Sequence, residues 1–137
     1  METVRFGISL DKDLLNTFDN HIFKKGYPSR SEAIRDLIRN DLVKEDWKTG
    51  GRVAGAITLI YDHHVRDLQN KLTEVQHHFP ELIISTQHVH LDHDNCLEII
   101  AVRGGAKEVR TLAERLQSTR GVKHSTLHMS SIGDKLK

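Results

Sequence analysis

Residues 4–10 run Val4-Arg5-Phe6-Gly7-Ile8-Ser9-Leu10, apolar and polar in strict alternation. Period-two alternation makes a strand with one apolar and one polar face. Such a strand needs a neighbour for its backbone N–H and C=O groups and is not stable alone. The residues that follow offer none, because they read as two helices. Asp11 caps the first, whose apolar positions are Leu14, Leu15, Phe18 and Ile22, and Lys25-Gly26-Tyr27-Pro28 stops it. Ser29 and Glu32 form a capping box for the second. Its stripe is Ala33, Ile34, Leu37, Ile38 and Leu42, and it is expected to fray near Trp47.

The simplest partner for a lone strand is the same strand of a second copy, antiparallel about a two-fold axis. Strand-helix-helix with a self-pairing strand is the ribbon-helix-helix plan, whose two-stranded ribbon fits the DNA major groove. The outward face of that ribbon presents Arg5, Gly7 and Ser9. The same three residues also read as the wet side of an edge strand. Charge does not decide between the two. The first 47 residues hold eight Lys/Arg against nine Asp/Glu, a net of −1, and the whole chain is at +1. DNA contact must therefore come from a local arrangement of charges and from helix N-termini, not from a general attraction to polyanions.

Lys48-Thr49-Gly50-Gly51-Arg52 reads as a linker. It divides the chain into domains at 1–48 and 53–130. In the second domain Val53 to Tyr61 reads as a strand, and Asp62 as the cap of a helix carrying Val65, Leu68, Leu72 and Val75. Leu82 to Leu91 and Cys96 to Val102 are strands. Gly104-Gly105 leads to a helix with Val109, Leu112, Ala113 and Leu116, ended by Gly121, and Val122 to Met129 is the last strand. The order βαββαβ is the split-βαβ, ferredoxin-like plan, so the chain as a whole is α+β. That sheet has one helix-free face, and oligomerisation through that face or the sheet edges is expected. Residues 130–137 are expected to be poorly ordered.

Five of the ten histidines and the only cysteine fall between His77 and Cys96. In a strand, His88 and His90 point to one face. Asp92 to Asn95 reads as a hairpin turn, which returns Cys96 beside them. Imidazole and thiolate together are a transition-metal ligand set. Tetrahedral His/Cys sites suit zinc, and planar N/S sites suit Ni(II) or Cu(II). Clustered surface histidines can also be plain solvated polar residues, and a lone cysteine a small buried hydrophobe. A single cysteine excludes an intrachain disulfide framework and fits a reducing compartment. No apolar run is long enough for a membrane span and no signal peptide is apparent, so a cytoplasmic location is expected.

Taken together, Arg30-Ser31-Glu32-Ala33-Ile34-Arg35-Asp36, Gln76-His77-His78, His88-Val89-His90 and Asn95-Cys96-Leu97-Glu98 resemble the nickel-responsive transcriptional regulators, the NikR family. The resemblance covers nearly the whole chain. The first piece alone is common to many ribbon-helix-helix proteins, and its combination with the His/Cys set makes the match specific. The resemblance implies a ribbon-helix-helix domain joined to an ACT-like regulatory domain in a homotetramer, a dimer of dimers. It implies one Ni(II) per subunit, bound in a planar site by His88, His90 and Cys96, with His77 supplied by a neighbouring subunit. Glu98 and Tyr61 would orient those ligands from behind, and His78 and His93 would be bystanders or weak secondary contacts. Arg5, Gly7 and Ser9 would contact operator DNA, with Gly7 departing from members that carry a base-reading side chain there. Glu32 and Asp36 match positions where some members hold a second cation, although a capping-box glutamate and an exposed aspartate explain the pair equally well.

The function implied is a regulator that binds operator DNA when nickel-loaded and represses nickel-uptake genes. Two other classes remain as alternatives. A metal-dependent enzyme would need an open coordination position and a general base, and no His-Glu-x-x-His or nucleophile motif is present. A metal-independent ACT-type small-molecule sensor leaves the His/Cys cluster unexplained.

Overall fold

The computed structural model describes residues 2–137 as two compact units that divide between Asn40 and Asp41. In the first unit, residues 2–10 are exposed and form neither helix nor strand within the single chain. The strand expected there thus has no partner from its own chain. Its apolar side chains Val4, Phe6, Ile8 and Leu10 are 43–76% exposed. Helix α1 spans Lys12–Lys24, and Asp11 caps it by accepting from the amides of Asp13 (2.9 Å) and Leu14 (3.4 Å). Gly26 leaves the helix with φ +80°, a conformation that costs glycine little.

Helix α2 spans Arg30–Thr49. Ser29 Oγ accepts from the amide of Glu32 at 3.2 Å, so one half of the capping box forms. Glu32 does not complete the box, because its carboxylate pairs with Arg35. Arg30 grips Asp19 of α1 with two parallel bonds, 2.8 and 2.7 Å. Ile22 and Ala33 are buried between the helices, whereas Leu14, Leu37 and Ile38 remain exposed. With Ile8 and Leu10, the flank of α1 and α2 encloses an apolar groove of about 360 Å³.

The second unit is a four-stranded antiparallel sheet in the order β2-β3-β1-β4. Its elements are β1 (Arg52–Asp62), α3 (Leu68–His77), β2 (Ile83–His90), β3 (Asn95–Gly105), α4 (Ala106–Gln117) and β4 (Val122–Met129). This is the βαββαβ order expected. Alternate residues of the central strands, Val53, Ile57, Leu59 and Tyr61 on β1 and Cys96, Glu98, Ile100 and Val102 on β3, are buried. They pack under Leu68 and Leu72 of α3 and Val109, Leu112 and Leu116 of α4. Gly55 lets β1 lie close to β4: a Cβ there would collide with the carbonyl oxygen of His128.

Three local expectations are corrected. Asp62 does not cap α3. β1 runs on to Asp62 because that residue pairs with Asn95 of β3, and the helix starts only at Leu68, after Asp67 at φ +63°. Helix α2 does not fray at Trp47. Trp47 is buried in the core of the second unit, donates its indole N–H to the carbonyl of Ser130 at 2.8 Å, and lies under the Arg110 guanidinium. The tail is correspondingly tied down. The Ser130 amide donates to Ala54 O (2.9 Å), and Lys135 pairs with Asp46 at 3.1 Å.

Trp47 makes a prediction. Trp47→Ala removes a fully packed ring and leaves the Ser130 carbonyl unpaired, so the loss should be roughly 3–5 kcal/mol. Urea denaturation followed by circular dichroism measures it, and an unchanged midpoint would place Trp47 outside the core.

Candidate metal centre

The site begins with a hairpin. Asp92 Oδ1 accepts from the amides of Asp94 (2.9 Å) and Asn95 (2.8 Å) and from the Asn95 side chain (3.2 Å). The Asn95 side-chain bond first, and then these amides, hold the Asp92 carboxyl down at about 2. Lys123 of β4 donates to Asn95 Oδ1 at 2.6 Å and anchors the turn from the other side. A turn fixed in this way sets the register of β2 against β3. His90 stands opposite Cys96 and His88 opposite Glu98, while β1 places Tyr61 opposite Cys96. One face of the sheet therefore carries His88, His90, Cys96, Glu98 and Tyr61.

Cys96, Glu98 and Tyr61 are buried, and His88 is exposed for 44% of its side chain, so the group opens outward at β2. His88 Nε2 lies 3.2 Å from Glu98 Oε1. Its other nitrogen, Nδ1, is 4.0 Å from Cys96 Sγ and 3.4 Å from the Tyr61 hydroxyl. A carboxylate that accepts the Nε2 proton selects the tautomer whose Nδ1 lone pair faces the sulfur. Metal–thiolate and metal–imidazole bonds of about 2.3 and 2.0–2.1 Å sum to roughly 4.3 Å. The 4.0 Å gap is thus compatible with an ion between Sγ and Nδ1. Burial first, and then the charges of Glu98 and Cys96, push the Tyr61 hydroxyl well above its usual range, so it stays a hydrogen-bond donor.

Glu98 is a buried carboxylate, and Oε2 has no hydrogen-bond partner among the described residues. Its Oε1 accepts from Gln76 Nε2 at 3.3 Å, and Gln76 Oε1 accepts from Thr86 at 3.4 Å. Gln76 joins the end of α3 to the centre, a role that sequence reasoning did not assign to it. Helical spacing was the only available signal, since Gln76 and Leu72 are four apart on the buried side of α3. An orphaned carboxylate oxygen behind a thiolate and an imidazole fits a cation-binding centre.

His90 shares that face opposite Cys96, and the other predicted residues lie apart from the group. The His90 ring packs edge-on to His63, centroids 5.2 Å apart. His77 is the last residue of α3 and is exposed, and His78 Nδ1 faces Arg115 at 3.5 Å. Arg5, Gly7 and Ser9 sit in the exposed segment before α1, with open space where a Gly7 side chain would be. The Asp36 carboxylate accepts from Tyr27 (2.8 Å) and Arg39 (3.2 Å), and Glu32 is paired with Arg35. Tyr27, Arg39 and Arg35 are thus the partners of these two acids in the single chain.

The profile of the NikR C terminal nickel binding domain matches residues 54–130, and that of the ribbon-helix-helix proteins of the copG family matches residues 4–45. The chain belongs to the nickel-responsive regulator family. A relative from Chlorobium limicola is 59% identical over 96% of this chain and 98% of its own length. One from Chlorobaculum parvum is 58% identical over 93% and 95%, and one from Geobacter sulfurreducens 54% over 98% and 98%. All three carry the name "Putative nickel-responsive regulator". In this NikR-family chain the matched nickel-binding segment runs from β1 to Ser130 and so contains the whole group built around Cys96. No helix among the described residues is long and apolar enough to cross a membrane.

The hairpin carries a pH prediction. The Asp92 carboxyl lies at about 2 in the folded protein, against about 3.9 in an unfolded chain. Its stabilising contribution is therefore complete above the unfolded value and is lost as pH falls toward the folded one. The Asp92 carboxyl carbon should titrate near the folded value by NMR, and Asp92→Asn should flatten the acid limb of the stability curve. Titration at the ordinary carboxylate value would mean that the turn is not held in this way.

Proposed function

We propose that this chain is a nickel-dependent transcriptional regulator that binds operator DNA when loaded with Ni(II) and represses nickel-uptake genes. Its family is one of regulators and not of enzymes. The observation that carries the reading is the buried Cys96–His88–Glu98 group on one face of β3 and β2, inside the segment matched by the nickel-binding domain. His88, His90 and Cys96 hold one Ni(II) per subunit, and thiolate plus imidazole is a donor set suited to that ion. Glu98 and Tyr61 orient His88 and Cys96 from the core side. His77, exposed at the end of α3, reaches the nickel of a neighbouring subunit, which makes metal binding a link between chains.

The exposed apolar flank of residues 4–10, α1 and α2 is covered by the same surface of a second copy. Pairing of the two extended segments makes the ribbon. Arg5 and Ser9 then face the DNA major groove, with Gly7 between them making no side-chain contact. Two such dimers joined through the regulatory domains make a homotetramer. Nickel acts through subunit arrangement and not by touching DNA, so operator DNA must raise nickel affinity by the factor by which nickel raises DNA affinity.

The experiment is a titration of apo-protein with Ni(II), followed at each step by retention of genomic DNA fragments and by thiolate-to-metal absorption. Both should rise together in the parent protein, and Cys96→Ala should lose both. Because the Cys96 thiol must shed its proton to bind the metal, nickel binding should also weaken as pH falls. Operator retention that is complete without metal would overturn the reading.

Arg5 gives a separate outcome. Arg5→Ala should cost about 1–3 kcal/mol of operator affinity per half-site contact and relax the choice of base there. Nickel binding should be unaffected. Equal affinity for the same operator, measured by fluorescence anisotropy, would return Arg5 to the role of a solvated edge residue.

A further inference from the structure

Helix α2 crosses the division between the two units: it spans Arg30–Thr49, and the units part between Asn40 and Asp41. Its last stretch, Asp41 to Thr49, therefore belongs to the second unit. After it come Gly50 and Gly51, which the sequence marks as a linker. The structure leaves that linker little freedom. Gly50 takes φ +81° just past the helix, and the Gly51 amide turns back to Asp46 O at 2.8 Å. The Gly51 carbonyl accepts from the amide of Ala106, the first residue of α4, at 3.0 Å. Both backbone polar groups of Gly51 are thus committed within the second unit.

The C-terminal tail closes over the same helix end. The Ser130 amide is bound to Ala54 O of β1 at 2.9 Å, and the Ser130 carbonyl receives the Trp47 indole N–H at 2.8 Å. Further on, Lys135 Nζ reaches Asp46 Oδ1 at 3.1 Å, and the Asp46 side chain is only 17% exposed. Arg110 of α4 lies 5.5 Å over the Trp47 ring and touches the Met129 sulfur at 4.0 Å. Among the described residues, both side-chain bonds that join residues 130–137 to the rest of the chain end on α2. The sheet does not need this tail. β4 ends at Met129, and the core under α3 and α4 closes without any residue after Leu127. What the tail fastens is the element that runs on into the first unit. A free Gly-Gly joint would absorb a movement of the regulatory domains. A helix end held at Asp46, Trp47 and Gly51 passes that movement into α2.

We propose that residues 130–137 form a strap that positions α2 on the regulatory unit, and that the hold of this strap sets how much of the nickel response reaches DNA. Trp47 and Lys135 are its positioning residues, acting through α2 and not on metal or DNA. The proposal rests on the nickel-dependent DNA binding proposed above.

The test compares the full-length parent with Trp47→Phe, which keeps a ring and removes the N–H donor, with Lys135→Gln, which removes the ion pair, and with the double variant. Affinity for a genomic fragment retained by the nickel-loaded parent is measured with and without Ni(II). All variants should keep the parent's thiolate-to-metal absorption and assembly. In Trp47→Phe the gain in DNA affinity on nickel loading should fall about two- to tenfold, the equivalent of one net hydrogen bond. Lys135→Gln should lower it less, because that lysine is 62% exposed, and the double variant should lower it most. By linkage, the gain in nickel affinity on adding DNA should fall by the same factor. Hydrogen exchange should quicken at the amides of residues 44–49 and stay parental in β1 and β3, a pattern that general loss of stability does not produce. A nickel-induced gain in the double variant equal to the parent's would overturn the strap alone, as would exchange that quickens evenly through the sheet. No gain in the parent itself would overturn the nickel-dependent reading and this proposal with it.

Discussion

Everything in the regulatory half depends on the pairing of β3 with a neighbour on each side. β3 is hydrogen-bonded to β1 along its full length and to β2 through the hairpin. Because side chains alternate faces, a slip of one residue would move Cys96 and Glu98 out of the core and His88 and His90 away from them. The register is held at one end by Asp92 and Lys123 and in the middle by the buried apolar rows under α3 and α4. The core thus serves the site by making the wrong register expensive, since it would expose Ile57, Leu59 and Ile100 in place of half-buried residues.

Glu98 is the costly part of this arrangement. A carboxylate in a core loses hydration and is tolerated only where hydrogen bonds or opposite charge replace water. His88 and Gln76 satisfy one oxygen and leave the other bare. A core that retains such a group carries an electrostatic demand, which a cation at Cys96 and His88 would meet. The same oxygen receives the Gln76 bond from the end of α3, next to His77. Contacts thus run from the sulfur through the His88 ring, the Glu98 carboxylate and the Gln76 amide to the end of α3.

The two units solve the problem of incomplete burial in different ways. The regulatory unit buries one face of its sheet under its own helices. The N-terminal unit has two helices pinned by Arg30–Asp19 but leaves Val4, Phe6, Ile8, Leu37 and Ile38 exposed. Roughly 25 cal/mol per Å² is gained when such apolar surface leaves water, which is a strong drive to pair with a second copy. In the proposed dimer, sharing that unfinished surface would also bring Arg5 and Ser9 together on an outer face.

Local chemistry made much of this legible in the sequence. Alternation in residues 4–10, the Asp11 and Ser29 caps, the βαββαβ order and the His-x-His-to-Cys hairpin all rest on interactions between residues close in the chain, and the structure contains each in the form expected except the first strand, which does not form within its own chain. Where tertiary contacts decide, the sequence is silent or misleading. Trp47 looks like the end of a fraying helix because its partners, Ser130 and Arg110, lie far along the chain. Asp62 looks like a helix cap because nothing nearby tells that β3 extends β1 past it. Gln76 and the bare oxygen of Glu98 become meaningful only when a helix end and a strand are brought together. The sequence determined which residues could bind a metal and in what order the elements run, because composition and short-range periodicity carry that information. Only the tertiary structure decided which remote side chains back those donors and which acids already have partners, because distance in space between remote residues depends on the packing of the whole domain.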